Sequence, residues 1–433
     1  MRNSEFDLSK CGIINPAMVK YPCFKEKYMT ERLYDKLKAY SEGAVYPFCM
    51  PGHKRNFEPA GIKNPYSIDI TEVEGFDDLH KCEGILGDIQ KDFAGIYECE
   101  NVFMSVNGST ACNLAAVMAV PEGGRILAAS NCHRSVFNGM KINKRDAVFI
   151  EPAKMPGGLC GGISAGEAEK YFKEYGDIKA LIVTSPTYEG FVSDIKALAQ
   201  AAHRHGALLI ADEAHGAHLP FCGEKKETGR DDAEGLRTCN NAQGDETAVF
   251  PGSAIYQDAD IIIESLHKTL PSLNQTSLIF VPRDADLAKT VKEKLNMVMT
   301  TSPSYILMAS AQEAAVWAYT HPEAFKGYAK RLFGLRESLK GLKNLALVDN
   351  SAAGNYNISA IDPGKLVIMT NPEKTGISGK QLTAILLEKY SLQLEKYDDA
   401  YALAMTSVTD TDEGFERLKK ALFDIDGRIT AAN

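Results

Sequence analysis

The chain has 433 residues, 45% apolar and 24% charged, and its 48 basic and 57 acidic side chains leave a net charge of −9. That length suits one large or two ordinary domains, and the acidic balance argues against a nucleic-acid-binding surface. Ten cysteines with no C-x-x-C pair exclude a disulfide framework and a zinc ribbon, and suggest reduced thiols in a cytoplasmic protein. The N-terminal stretch has no apolar segment of the kind a signal peptide needs. Two charge-free stretches, 101–121 and 295–312, are each broken by a polar cluster (SVNGST and TTSPS). Neither suits a membrane span.

In chain order, residues 30–37 begin a short amphipathic helix with Thr30 as its N-cap. From about residue 100, short apolar runs alternate with helical patterns. Strands are predicted at 102–106, 125–129, 147–150, 180–184, 207–211, 261–264 and 278–281, with helices at 109–119 and 194–203 between them. Apolar runs without strict alternation suit strands buried on both faces, hence an α/β fold with a mostly parallel sheet and helices on both sides. Residues 223–258, polar through EKKETGRDDAEG and NNAQGDE, are expected to form a long surface excursion. Beyond Glu313 come helices at 313–319 and 326–342, strands at 366–369 and 402–408, and a closing helix at 413–423. The expected division is an N-terminal arm (1–45), a large domain (46–312) and a smaller α+β domain (313–433).

In open α/β sheets ligands collect at the carboxyl ends of the strands, and here those ends are chemically rich. They read Asn107-Gly108-Ser109-Thr110, Ser130-Asn131-Cys132-His133, Ser185-Pro186-Thr187-Tyr188, Asp212-Glu213-Ala214-His215 and Ser265-Leu266-His267-Lys268-Thr269. Gly-Ser-Thr at a helix start offers backbone N–H groups and hydroxyls to a phosphate, or is an ordinary Ser/Thr N-cap. Asp212, ending a buried strand, either meets a cation or caps a turn. Lys268, set among Ser, His and Thr, has the surroundings of a Schiff-base lysine, though most lysines are simply solvated. DEAH at 212–215 has no phosphate-binding G-x-x-x-x-G-K-[ST] loop to support a nucleotide hydrolase, since 376–381 lacks the spacing. The pairs His203/His205 and His215/His218 lack further ligands, so no metal is expected. Gly52-His53-Lys54-Arg55 is an anion grip or a solvated turn.

These motifs, in this order, resemble the bacterial Orn/Lys/Arg decarboxylase family, fold-type-I (aspartate aminotransferase-like) pyridoxal 5'-phosphate (PLP) enzymes. The resemblance runs from about Met50 to Ala421 and takes in 71–80 (TEVEGFDDLH), 300–305 (TTSPSY) and 394–399 (LEKYDD). It suggests the short form, without an N-terminal wing domain. It implies decarboxylation of arginine, lysine or ornithine, feeding polyamine metabolism, with Lys268, His133, Asp212 and His267 as catalytic residues. Lys268 would form the Schiff base, Asp212 would pair with the pyridine nitrogen, and His133 would stack on the ring with His215 beside it. Ser109, Thr110, Ser265 and His267 would hold the phosphate, and Gly108, Ala214, Thr301 and Ser302 would complete the cofactor site. The last two would approach the neighbouring subunit's cofactor, so a homodimer is implied. Glu395 and Asp399 would face the distal cation of the substrate. An aminotransferase or aldolase-like enzyme on the same fold, with Arg417 or Arg428 clamping the α-carboxylate, and a non-catalytic regulator remain the alternatives.

Overall fold

The computed structural model describes residues 31–42, 65–222 and 250–432. Thr30, the 52–55 motif and most of the polar excursion lie outside the described residues. Within the expected arm a helix spans Leu33–Glu42, with Leu33 and Leu37 fully buried. The Leu33 N–H donates to Gln312 Oε1 at 2.8 Å, and Arg32 pairs with Glu313. Both partners lie within the helix Tyr305–Thr320, so the expected boundary at 312/313 falls inside one helix that also carries the arm.

Eight strands precede that helix: β1 (Val102–Ser105), β2 (Arg125–Ala129), β3 (Ala147–Ile150), β4 (Ile178–Thr184), β5 (Phe191–Val192), β6 (Leu208–Asp212), β7 (Ile261–Ser265) and β8 (Ser277–Phe280). Seven form one sheet in the order β1-β8-β7-β6-β4-β2-β3, parallel except for β8, which runs antiparallel to both neighbours. Its central strands are Ile-, Leu-, Val- and Ala-rich and buried on both faces, as sheets covered by helices require. The helix Gly108–Ala119 buries Ala111, Cys112, Asn113, Ala115 and Ala116. Such small side chains let a helix approach a sheet closely. Register places Thr184 beside Asp212, and Asp212 beside Ile263, along one sheet edge.

Five further strands follow: β9 (Ala346–Leu347), β10 (Ala360–Ile361), β11 (Lys365–Met369), β12 (Lys396–Tyr397) and β13 (Tyr401–Met405). Four make an antiparallel sheet ordered β12-β13-β11-β9, while β10 pairs with β5 in a separate two-stranded sheet and so ties the C-terminal part to the segment between β4 and β6. A buried ion pair reinforces the tie. Lys365 Nζ donates to Asp362 Oδ2 at 2.8 Å and to the His215 carbonyl at 3.3 Å, and His218 Nε2 lies 3.3 Å from Asp362 Oδ1. The Lys365 stem passes over Gly190, whose φ is +92°. A Cβ there would meet the Lys365 Cβ at 2.8 Å.

The predicted surface excursion needs correction. Phe250, Ser253, Ala254 and Ile255 are buried, because the apolar AVFPGSAIY run returns the chain to the core. Ser253 Oγ donates to Glu213 Oε2 at 2.6 Å, and the Glu213 carboxyl lies against that of Glu264; both residues are fully sequestered. Burial pushes Glu213 up to about 8, and burial together with Glu213 pushes Glu264 well above the carboxylate range. With folded values above the unfolded ones, this stabilisation is complete below the unfolded pKa and is lost as pH rises through about 8. The unfolding free energy from urea titrations should therefore fall from pH 6 to 9, by up to about 1.4 kcal/mol per pH unit per proton. Glu264→Gln should flatten that slope. An unchanged slope would place the titrating group elsewhere.

Candidate active site

The carboxyl ends of β2, β4, β6 and β7 and the start of the helix Gly108–Ala119 converge on a cavity of about 400 Å³. The large sheet supplies Ser109, His133, Thr184, Asp212, His215 and Lys268 to its lining. The Thr187–Gly190 turn and the small sheet supply Tyr188, Glu189, Lys396, Asp398 and Tyr401.

Lys268 follows β7 in the short helix Leu266–Thr269, and its Nζ lies 3.1 Å from His215 Nε2. An ammonium can only donate, so His215 Nε2 accepts. The Lys268 side chain opens onto the cavity, yet the protein packed around it lowers the amine below the usual lysine range, against the pull of Asp212. Burial, then the Lys268 and Lys365 charges, holds His215 well below its ordinary value. Tyr188 packs edge-on against the His215 ring at 4.7 Å.

Asp212 ends β6 fully buried. Its Oδ1 accepts from the Ala214 N–H at 3.2 Å, so it does cap its own turn, and Oδ2 accepts from Asn113 Nδ2 at 3.0 Å. His133 is the N-cap of the helix Arg134–Ile142, with Ser135 Oγ 2.7 Å from Nδ1. Asn113 Nδ2 also donates to Ser135 Oγ at 3.0 Å.

No side chain caps the helix Gly108–Ala119, because Asn107 Oδ1 accepts instead from the Thr300 N–H at 3.1 Å. Gly108, at φ +72°, spends its own N–H on the Gln275 carbonyl at 2.8 Å. The ordinary Ser/Thr cap is thus absent, and the positive end of a three-turn helix stands beside two hydroxyls: Ser265 Oγ donates to Ser109 Oγ at 2.9 Å. Thr110 is exposed on the same turn. His267 donates from Nδ1 to the Thr276 carbonyl at 2.9 Å, and burial lowers its pKa. Thr301 and Ser302 are exposed near Asn107 and do not line this chain's cavity.

The expected substrate residues are placed less directly. Glu395 does not line the cavity; its carboxylate accepts from the Tyr188 hydroxyl at 2.5 Å, one side chain removed. Asp399 is exposed and also absent from the lining, whereas Asp398 is present. Glu189, not singled out from the sequence, accepts from Lys396 Nζ at 2.7 Å and from the Tyr401 hydroxyl at 2.8 Å. Asn113 was missed too. Its signal is its spacing, four residues after Ser109 on one helix face. Arg417 donates to the Tyr390 and Ser391 carbonyls and Arg428 to Asp424, so neither reaches the cavity. His203 and His205 end a helix beside Asp260 and Glu169, and no metal-ligating group of three is present among the described residues.

A mostly parallel sheet with an amine, a carboxylate and a helix N-terminus at its strand ends defines the fold-type-I PLP enzymes. The chain belongs to the Orn/Lys/Arg decarboxylase family, whose major-domain pattern matches residues 31–350. It is 28% identical over 402 residues to an arginine decarboxylase of Bacillus cereus, covering 91% of this chain and 82% of that one. The solved lysine decarboxylase of Francisella novicida superposes with a TM-score of 0.73 at 19% identity, over 92% of this chain and 60% of that one. The chain thus spans about 60% of that enzyme's length. A serine palmitoyltransferase from S. paucimobilis, solved with a bound PLP–myriocin aldimine, shares the fold with a TM-score of 0.53 at 13% identity, over 79% of this chain and 76% of that one.

Proposed function

We propose that the protein is a PLP-dependent decarboxylase that releases CO2 from arginine, lysine or ornithine and leaves the amine. The carrying observation is the convergence of Lys268, Asp212 and His133 on one cavity whose small-sheet side is acidic. The residues fit the cofactor: an uncapped helix start for a phosphate, a buried carboxylate for a ring nitrogen, and an amine lowered toward its nucleophilic form. Thr184 Oγ1 and His215 Nδ1, both buried without partners, leave polar capacity in the cavity wall for a polar ligand. PLP, when bound, supplies the electron sink for the bond to the departing carboxylate.

The chain's own groups divide the remaining work. Lys268 would hold the cofactor covalently, Asp212 would hold a proton at the pyridine nitrogen, and His133 would cover the ring. Ser109, Thr110, Ser265 and His267 would bind the phosphate. On the far side the lining holds two carboxylates, Glu189 and Asp398, and one cation, Lys396, with Glu395 behind Tyr188, an excess of negative charge suited to a substrate with a distal cation. With no arginine lining the cavity among the described residues, the α-carboxylate clamp of an aminotransferase lacks support. The exposed Thr301 and Ser302, beside the strand-end edge, support a homodimer whose partner completes each site.

The test is CO2 release from the three amino acids by the PLP-loaded protein. Turnover of none of them would end this reading. Glu395→Gln should lower kcat/KM for the best substrate by roughly ten- to a thousandfold with the cofactor absorbance unchanged. Wild-type efficiency in that variant would move the cation partner to Glu189 or Asp398.

A further inference from the structure

One hydrogen-bonded chain joins the two groups assigned to the cofactor ring. It runs from Asp212 Oδ2 to Asn113 Nδ2 (3.0 Å), from Nδ2 to Ser135 Oγ (3.0 Å), and from Oγ to His133 Nδ1 (2.7 Å). Asn113 and Ser135 are only 1% and 2% exposed, so water does not substitute for either.

The direction of every bond follows from donor chemistry. A carboxylate only accepts, so Asn113 must turn its NH2 toward Asp212. The same NH2 donates to Ser135 Oγ, which leaves the hydroxyl hydrogen free to point at His133 Nδ1. The Ser135 backbone N–H, which can only donate, reaches the same Nδ1 at 3.3 Å. That nitrogen must therefore carry the lone pair, and the ring proton sits on Nε2.

The cost of the arrangement is visible. Asn113 Oδ1 is buried with no hydrogen-bond partner. Turning the amide over would set that carbonyl against the Asp212 carboxylate and silence the chain. An orphaned buried acceptor is retained to keep both amide hydrogens where they are.

We propose that Asn113 and Ser135 are positioning residues that act through Asp212 and His133. Asn113 orients the carboxylate, and Ser135 fixes the His133 ring as the Nε2–H tautomer. The consequence for the cofactor rests on the function proposed above; the tautomer does not, and it is read without cofactor.

The experiment is 15N NMR of histidine-labelled protein, with His133→Asn to assign the signal, followed by PLP titration monitored by absorbance. In the cofactor-free wild type, His133 should show an unprotonated Nδ1. Ser135→Ala leaves only the longer backbone N–H contact of 3.3 Å on Nδ1, so it should loosen the tautomer preference and weaken PLP binding and kcat/KM by about ten- to a hundredfold, the usual size for an orienting partner. Ser135→Thr should restore the wild-type pattern. Asn113→Leu should weaken PLP binding similarly, with folding checked by its urea midpoint. If it fails to fold, the serine pair decides alone. A proton on Nδ1 in the wild type, or a Ser135→Ala protein with unchanged tautomer and PLP affinity, would overturn the proposal. Normal tautomer behaviour without decarboxylation would instead fault the proposed reaction.

Discussion

Replacing Lys268 with alanine is expected to lower turnover by at least about a thousandfold, roughly 4 kcal/mol in the barrier. It should also abolish the borohydride-fixable attachment of PLP and its yellow absorbance. The size follows from the lack of a substitute amine. Lys365 is fully buried and committed to Asp362 and the His215 carbonyl. Lys396 lines the cavity, and although burial opposes its charge, Glu189 and Tyr401 raise its pKa and keep it protonated, a poor nucleophile. Attachment that survives in the variant, mapped by peptide mass, would reassign the covalent role to Lys396.

Asp212→Asn should leave PLP bound but slow decarboxylation by about 10² to 10⁴, the range for losing a preorganised electrostatic partner. The amide matches the carboxylate in shape and can still accept from the Ala214 N–H. It cannot hold a proton at the pyridine nitrogen. A loss below about tenfold, roughly 1.4 kcal/mol, would remove Asp212 from that role.

Most of the large sheet was legible because its strands are short apolar runs buried on both faces. Six of its seven strands, all but β4, have both ends within one residue of prediction, and β4 starts two residues earlier and ends where expected. The helix Ile85–Tyr97 was not read, and its capping explains why. Asp77, far upstream, accepts from the Gly84 N–H at 2.8 Å and the Leu86 N–H at 3.0 Å, so no local cap marks the start. The same bonds commit the Asp77 carboxylate to backbone N–H groups.

The site divided along similar lines. Residues at or just beyond a strand end, such as Asp212 and Lys268, could be found from position alone. Asn113 and Ser135 matter through one another, and only the packing of two helices brings them within 3.0 Å. Glu189 hid in a turn. Its neighbours Lys396 and Tyr401 come from more than 200 residues downstream. The family motif pointed to Glu395, which meets the cavity only through Tyr188.

Gly190 has a consequence for the evolution of selectivity. It follows Tyr188 and Glu189, two residues of the cavity's acidic side, and the Lys365 stem passes over it. Any side chain at 190 would carry both the strain of φ +92° and a collision at 2.8 Å with a buried lysine stem. Position 190 is thereby restricted to glycine as long as the Lys365 stem keeps its course. Within this turn, substrate preference is open to change through the side chains at 188 and 189 rather than through a new backbone course, because reshaping the turn would disturb the ion pair beneath it.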